Sequence, residues 1–264
     1  MSTQHRKPLH WSFDYNHGTQ KPGFVKELIS LLQGYQTKIQ DTEAGQNKHT
    51  YRILPNFWRG YSGRNKPEES LTIGSAVIQR HKENDKVWCY KVQYKNTTSG
   101  ENLLLQFQCN DECYRTLTGS WKATVSNNGQ DIYSNIELNG EIKDDKEITL
   151  RFNKSEITIG TANHSIPLTC NWVLYDVIPA IADNIRTKGS TVDISLLDDL
   201  EQLRPKCQIG YLDAIQDPIP LDGYYLYGTG LLPSYWWVDE SGNVVIVSTV
   251  FETLVLDEYS GSST

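Results

Sequence analysis

The sequence predicts a mainly β chain: an antiparallel meander folded into a β-barrel, with an N-terminal helix and one later accessory helix. Three observations carry that prediction. After residue 50, apolar and polar residues alternate with period 2 over most of the chain. Short turn-forming groups such as "SG" at 99–100, "DD" at 144–145 and "DESGN" at 239–243 separate these runs. Two stretches switch to the 3.6-residue period of a helix. Fifteen Tyr and seven Trp stand against one Met, which is the side-chain stock of strands. At 264 residues, 1–264 reads as a single β domain with a core large enough to need no disulfide or metal.

Residues 1–20 are polar with scattered aromatics and read as irregular. Over 24–39, Phe24, Leu28, Leu31, Leu32, Tyr35 and Ile39 share a helical face, with Pro22 just ahead of it. Residues 41–49 form a polar linker, and the first block of strands runs through 51–170. In that block "KVWCYKVQY" and "ENLLLQFQC" flank the Ser99–Gly100 turn as a hairpin. "GSWKATV", "DIYSNIELNG" and "SEITIG" continue the meander, with Asn139–Gly140 expected as a turn.

The accessory helix spans 171–185, where Trp172, Tyr175, Ile178, Ala182 and Ile185 share a face. Asn171 is its candidate N-cap, and Pro179 predicts a kink or restart. The last strands fill 190–259, from "TVDISLLDDL" to "FETLVLDEY", and the tail "SGSST" is expected to fray.

Lys plus Arg number 25 and Asp plus Glu 32, a formal charge of −7. That balance argues against nucleic acid, whose binding rests on phosphate neutralisation. No apolar run approaches a membrane span, and the first residues lack a secretory h-region. Five cysteines, an odd number, then predict reduced thiols and a cytoplasmic chain.

Phosphate-loop, dinucleotide and nucleophile-elbow signatures are absent from the sequence. Cys109 and Cys113 in "CNDEC" lack the second ligand pair that structural zinc needs, so neither metal nor cofactor is expected. Asp198 and Asp199 are adjacent, which on a strand sends them to opposite faces. They read as a solvated turn, not as a carboxylate pair.

Two aromatic stretches single out a binding site. "YRILPNFWRGYSGR" interleaves Arg52, Trp58, Arg59, Tyr61 and Arg64, and arginine both stacks on rings and pairs with carboxylates. "YYLYGTGLLPSYWW" places Tyr225, Tyr227, Tyr235 and Trp237 as candidate wall residues. Rings on both faces of these strands require an outer cover, which the two helices can supply. Gly228 and Gly230 read there as a bulge or bend.

Three segments carry a resemblance to a known group: "FWRGYSG" at 57–63, "TGSWKA" at 118–123, and the late helix at 172–185. Together with the meander order they resemble calycin or lipocalin-like β-barrels, including uncharacterised cyanobacterial proteins of that build. Lipocalins carry Gly-x-Trp on their first strand. Here Gly119-x-Trp121 falls in mid-chain and Trp58-x-Gly60 has the reverse order, and a long segment follows the late helix. The resemblance implies a cup that binds an apolar or aromatic small molecule, with Trp121 near it. It equally implies a cofactor-free cyclase, isomerase or lyase acting in such a cup. A structural or interaction protein with a solid barrel is the third reading.

Overall fold

The computed structural model describes residues 13–14, 23–24, 32–35, 39–40, 46–55, 72–127, 135–143, 147–152, 155–161 and 165–261. The short strands β1 (Phe13–Asp14), β2 (Gly23–Phe24) and β3 (Ile39–Gln40) precede a meander. Its first arm comprises β4 (Gln46–Pro55), β5 (Gly74–Asn84), β6 (Val87–Asn96), β7 (Glu101–Asn110), β8 (Leu117–Asn127), β9 (Asn135–Lys143), β10 (Glu147–Phe152) and β11 (Ser155–Thr161). Next come β12 (Leu168–Cys170), a 3₁₀ turn (Asn171–Val173) and the helix α1 (Leu174–Lys188). The second arm is β13 (Thr191–Asp198), β14 (Gln202–Ile215), β15 (Leu221–Gly228), β16 (Leu231–Val238), β17 (Val244–Ser248) and β18 (Glu252–Gly261).

Among the described residues, sixteen strands join one sheet in the order β11 back to β4, then β18 back to β12, with β3 beside β18. β1 and β2 form a separate pair. The first and last long strands thus meet in mid-sheet, where Arg52 lies opposite Val255. β12 and β13 are parallel, and parallel neighbours need a crossover, which the 3₁₀ turn and α1 supply.

The two arms curl toward each other. On β8 the Trp121 indole donates to the Leu200 carbonyl beyond β13 at 3.0 Å. Gly140 on β9 leaves room for that indole, which any Cβ there would overlap. Asn139 and Gly140 are therefore strand residues and not the turn expected from their identity. No backbone ladder joins β11 to β12 among the described residues, so the expected closed barrel is an open, barrel-like curl.

Inside the curl lies α1, with Leu174, Tyr175, Val177, Ile178, Ile181 and Ile185 buried. A helix apolar over so much of its circumference has to be enclosed. It runs unbroken through Pro179 and stops at Gly189, whose φ of 58° suits glycine. Asp176, in its first turn, forms an ion pair with Arg80 of β5 and accepts from the Tyr90 hydroxyl of β6 at 2.6 Å. Burial, with the Arg80 charge adding, holds the buried His49 ring down to about 3.

A second, smaller cluster occupies the other face of the second arm and of the adjoining β4, where Leu54, Tyr225, Tyr235, Trp237, Ile246 and Val255 pack with Leu32. Leu32 and Gln33 are helical, but the chain turns at Gly34 and Ile39 lies in β3. Phe24 lies in β2. The helix expected over 24–39 is thus shorter at both ends; glycine is a poor helix residue, and Phe and Ile suit strands. Its remaining positions lie outside the described residues. The two helical segments take different places: Leu32 covers the outer face, whereas α1 fills the concave one.

Candidate functional site

Between the two arms the curl forms an open-mouthed cavity of about 570 Å³. Its floor is aromatic. Trp172 stacks on Tyr175 with ring centroids 6.4 Å apart, and Tyr175 meets Trp236 edge to face at 5.0 Å. Tyr94 closes the group, 6.2 Å from Trp172. Each ring arrives on a different element: β6, the 3₁₀ turn, α1 and β16. Leu232 and Phe251, at 56% and 72% exposure, sit on the rim. They are two of the four large exposed hydrophobic side chains among the described residues.

Carboxylates line the same space. Glu252, at the head of β18, accepts a 2.9 Å hydrogen bond from the Tyr94 hydroxyl. Burial pushes its carboxyl upward, the Tyr94 bond opposes this, and Glu101 and Asp199 add to the rise. Asp198 is pushed up to about 6, first by burial and then by the charge of Asp199. Arg204 opposes that shift from 4.0 Å.

Asp199 is held by its neighbours. Its carboxylate accepts from Asn171 at 2.8 Å and from the Trp172 indole at 3.1 Å, and its own amide donates back to Asn171 at 3.1 Å. Asn171, expected as an N-cap, makes no capping bond and clamps this turn instead. Asp199 has φ 46°, outside strand geometry. Period-2 alternation therefore ends before it, and both adjacent aspartates line one cavity.

The residues singled out from the sequence are dispersed. Arg52 pairs with Asp257 at the surface and does not line the cavity. Trp58, Arg59, Tyr61 and Arg64 lie outside the described residues. Trp121 is buried against Gly140 and Leu200 and borders a separate, more open depression of about 710 Å³. Tyr225, Tyr235 and Trp237 pack in the second cluster; Tyr227 joins them and donates to Gln208 at 2.6 Å.

The aromatic stretch does reach the cavity, but through the opposite face: Leu226, Ser234 and Trp236 line it. Gly228 ends β15 where its pairing with β16 shifts register between Leu226 and Gly228, as expected of a bulge, and Gly230, at φ 73°, sits in the hairpin turn that follows. Tyr94, Trp172, Asp198, Asp199 and Glu252 were not among the residues singled out. Trp172 and Asp198–Asp199 were legible as a helix face and a turn. Nothing in the sequence pairs Tyr94 with Glu252, 158 positions away.

The fold has a structural counterpart. The chain is similar to the crystal structure of a β-barrel-like protein of domain of unknown function DUF1849 from Brucella abortus, with a TM-score of 0.52 and 7% identity. The match covers 84% of this chain and 100% of that one. At this identity the likeness shows the β-barrel-like fold alone. No protein-family model matches the sequence, and no curated protein matches it. Among the described residues no helix is long and apolar enough to cross a membrane.

Proposed function

We propose that the chain binds a mid-sized small molecule with an apolar or aromatic body in the cavity between the two arms. This reading takes the chain as one lipocalin-like domain of the cytoplasm. One observation carries it: a space of about 570 Å³ walled by Trp172, Tyr175 and Trp236, with Phe251 and Leu232 exposed at its rim. Ligand sites are typically concave, mostly apolar, roughly 300–1,000 Å³ in size, and furnished with a few convergent polar groups. Exposed apolar side chains at a rim of this kind are covered when a ligand enters.

Two experiments test this. Native mass spectrometry of freshly purified protein should show a co-purified small molecule. Nile red, a neutral apolar dye, should bind saturably to the wild type and not to Trp236→Ala. Saturable binding that survives in Trp236→Ala would place the dye elsewhere and defeat the assignment.

A second reading, a cofactor-free enzyme in the same cavity, is favoured by the titratable groups there. A phenol hydrogen-bonded to a carboxyl, Tyr94 to Glu252, is a general acid–base arrangement. Asp198 at about 6 is suited to take or give a proton near neutrality. Any turnover of the co-purified molecule should then be lost in Glu252→Gln.

A further inference from the structure

The apolar surface of the cavity continues past its aromatic floor. Tyr94 and Leu103 line the cavity and lie directly opposite each other on β6 and β7. Leu103 in turn lies opposite Val125 on β8, and Val125 opposite Ile136 on β9. Residues opposite each other in an antiparallel ladder share a face, so the four side chains form one apolar row across four strands. At the usual strand spacing the row is about 14 Å long. Tyr94, Leu103 and Val125 are half-buried, and Ile136 is 48% exposed. The row therefore leads from the cavity out to solvent.

Its width is one residue. On the inner side, the next residues of the same face are Leu105, Ala123 and Leu138, all buried in the core. On the outer side, Glu101 and Asn127 stand opposite each other and end the apolar strip. A fused ring system needs a broader strip than this. An extended peptide is disfavoured for another reason. β7 and β8 are each paired on both sides, so their backbone N–H and C=O groups are engaged in the ladders. A peptide laid across them would turn its own backbone polar groups toward apolar side chains, which costs free energy. A polymethylene chain carries no such groups and has no register to match.

Resting on the assignment of this cavity as the ligand site, we propose that its ligand carries an unbranched alkyl or acyl chain. The chain leaves the cavity between Tyr94 and Leu103 and lies along Val125 and Ile136. The aromatic floor holds the other end of the ligand.

Displacement of Nile red from the full chain by three neutral phenols tests this. The probes are para-ethylphenol, linear para-octylphenol and its branched isomer para-tert-octylphenol. The linear octyl compound should bind about tenfold tighter than the branched isomer, because only a linear tail reaches along the row. Ile136→Asp, at an exposed position, should weaken the linear compound about fivefold and leave the other two unchanged. Should Ile136→Asp fail to fold, Ile136→Ala carries the same comparison. Trp236→Ala should weaken all three. If the branched isomer binds as tightly as the linear one, or if the Ile136 variant treats all three alike, the chain inference is overturned while the cavity assignment stands. If no phenol displaces the dye, or Trp236→Ala leaves all three unchanged, the cavity assignment falls and the inference with it.

Discussion

Tyr94 and Glu252 are 158 positions apart, yet the Tyr94 hydroxyl donates to the Glu252 carboxylate at 2.9 Å. The bond joins β6 of the first arm to β18 of the second and spans one side of the cavity. A hydrogen bond to a charged acceptor contributes roughly 1.5–3 kcal/mol, less where water reaches it. Tyr94→Phe should therefore destabilise the fold by about 1–2 kcal/mol in urea unfolding. With Glu252→Gln it should show a coupling of about 1 kcal/mol in a double-mutant cycle. Additive effects of the two substitutions would mean the bond does not form.

The pH dependence has a definite sign. Asp198 is raised to about 6, so the folded state binds its proton more tightly than the unfolded chain does. Its ionised form therefore costs stability, fully above the folded value and progressively less as pH falls from about 6 toward the ordinary carboxylate range. The groups around it are Asp199 and Glu201, which raise it after burial, and Arg204, which lowers it. Asp198→Asn should raise Tm at pH 7.5 and change it little at pH 4. Allowing for solvent screening, the gain is on the order of 1 kcal/mol, or about 2–4 °C. An equal Tm change at both pH values would contradict the assignment.

Asp176 ties the enclosed helix to the sheet through Arg80 and Tyr90. Removing one partner of a buried pair leaves the other uncompensated, at a cost of about 3–5 kcal/mol. Asp176→Leu should lose about that much, whereas Asp176→Leu combined with Arg80→Met should recover most of it. Thermal melts of the three proteins check this, and a double variant no better than the single would show that the charge is not what matters.

Trp236 and Trp237 are neighbours on opposite faces of β16. Each is buried, so cutting either to Ala should cost about 3–5 kcal/mol. Only Trp236 lines the cavity, while Trp237 packs with Tyr235 and Ile246 in the second cluster. Under conditions where both variants remain folded, Nile red should bind Trp237→Ala and not Trp236→Ala. Loss of dye binding in both would place the site on the outer face.

Gly140→Ala should test the curl itself. Its new methyl group would enter the space of the Trp121 indole and force it off the Leu200 carbonyl. Overpacking of this kind costs roughly 1–3 kcal/mol. A stable Gly140→Ala protein would mean that the arms do not meet there.

Sequence alone determined the local chemistry. Period-2 runs with short turns made the β arms readable, as in the β6–β7 hairpin about Ser99–Gly100. The spacing of Trp172, Tyr175, Ile178 and Ile185 marked the later helix, since side-chain period is a property of neighbouring residues. Tertiary structure decided everything that depended on distant partners. Whether Trp236 or Trp237 faces the cavity depends on which side α1 packs, and alternation cannot choose between two apolar faces. Gly140 reads as a turn until Trp121 is seen occupying its missing side chain. Asp198 and Asp199 converge because a positive-φ residue breaks the strand geometry, which their identity does not announce. Glu252 becomes a cavity residue through Tyr94, a contact made only when the two arms of the sheet curl together.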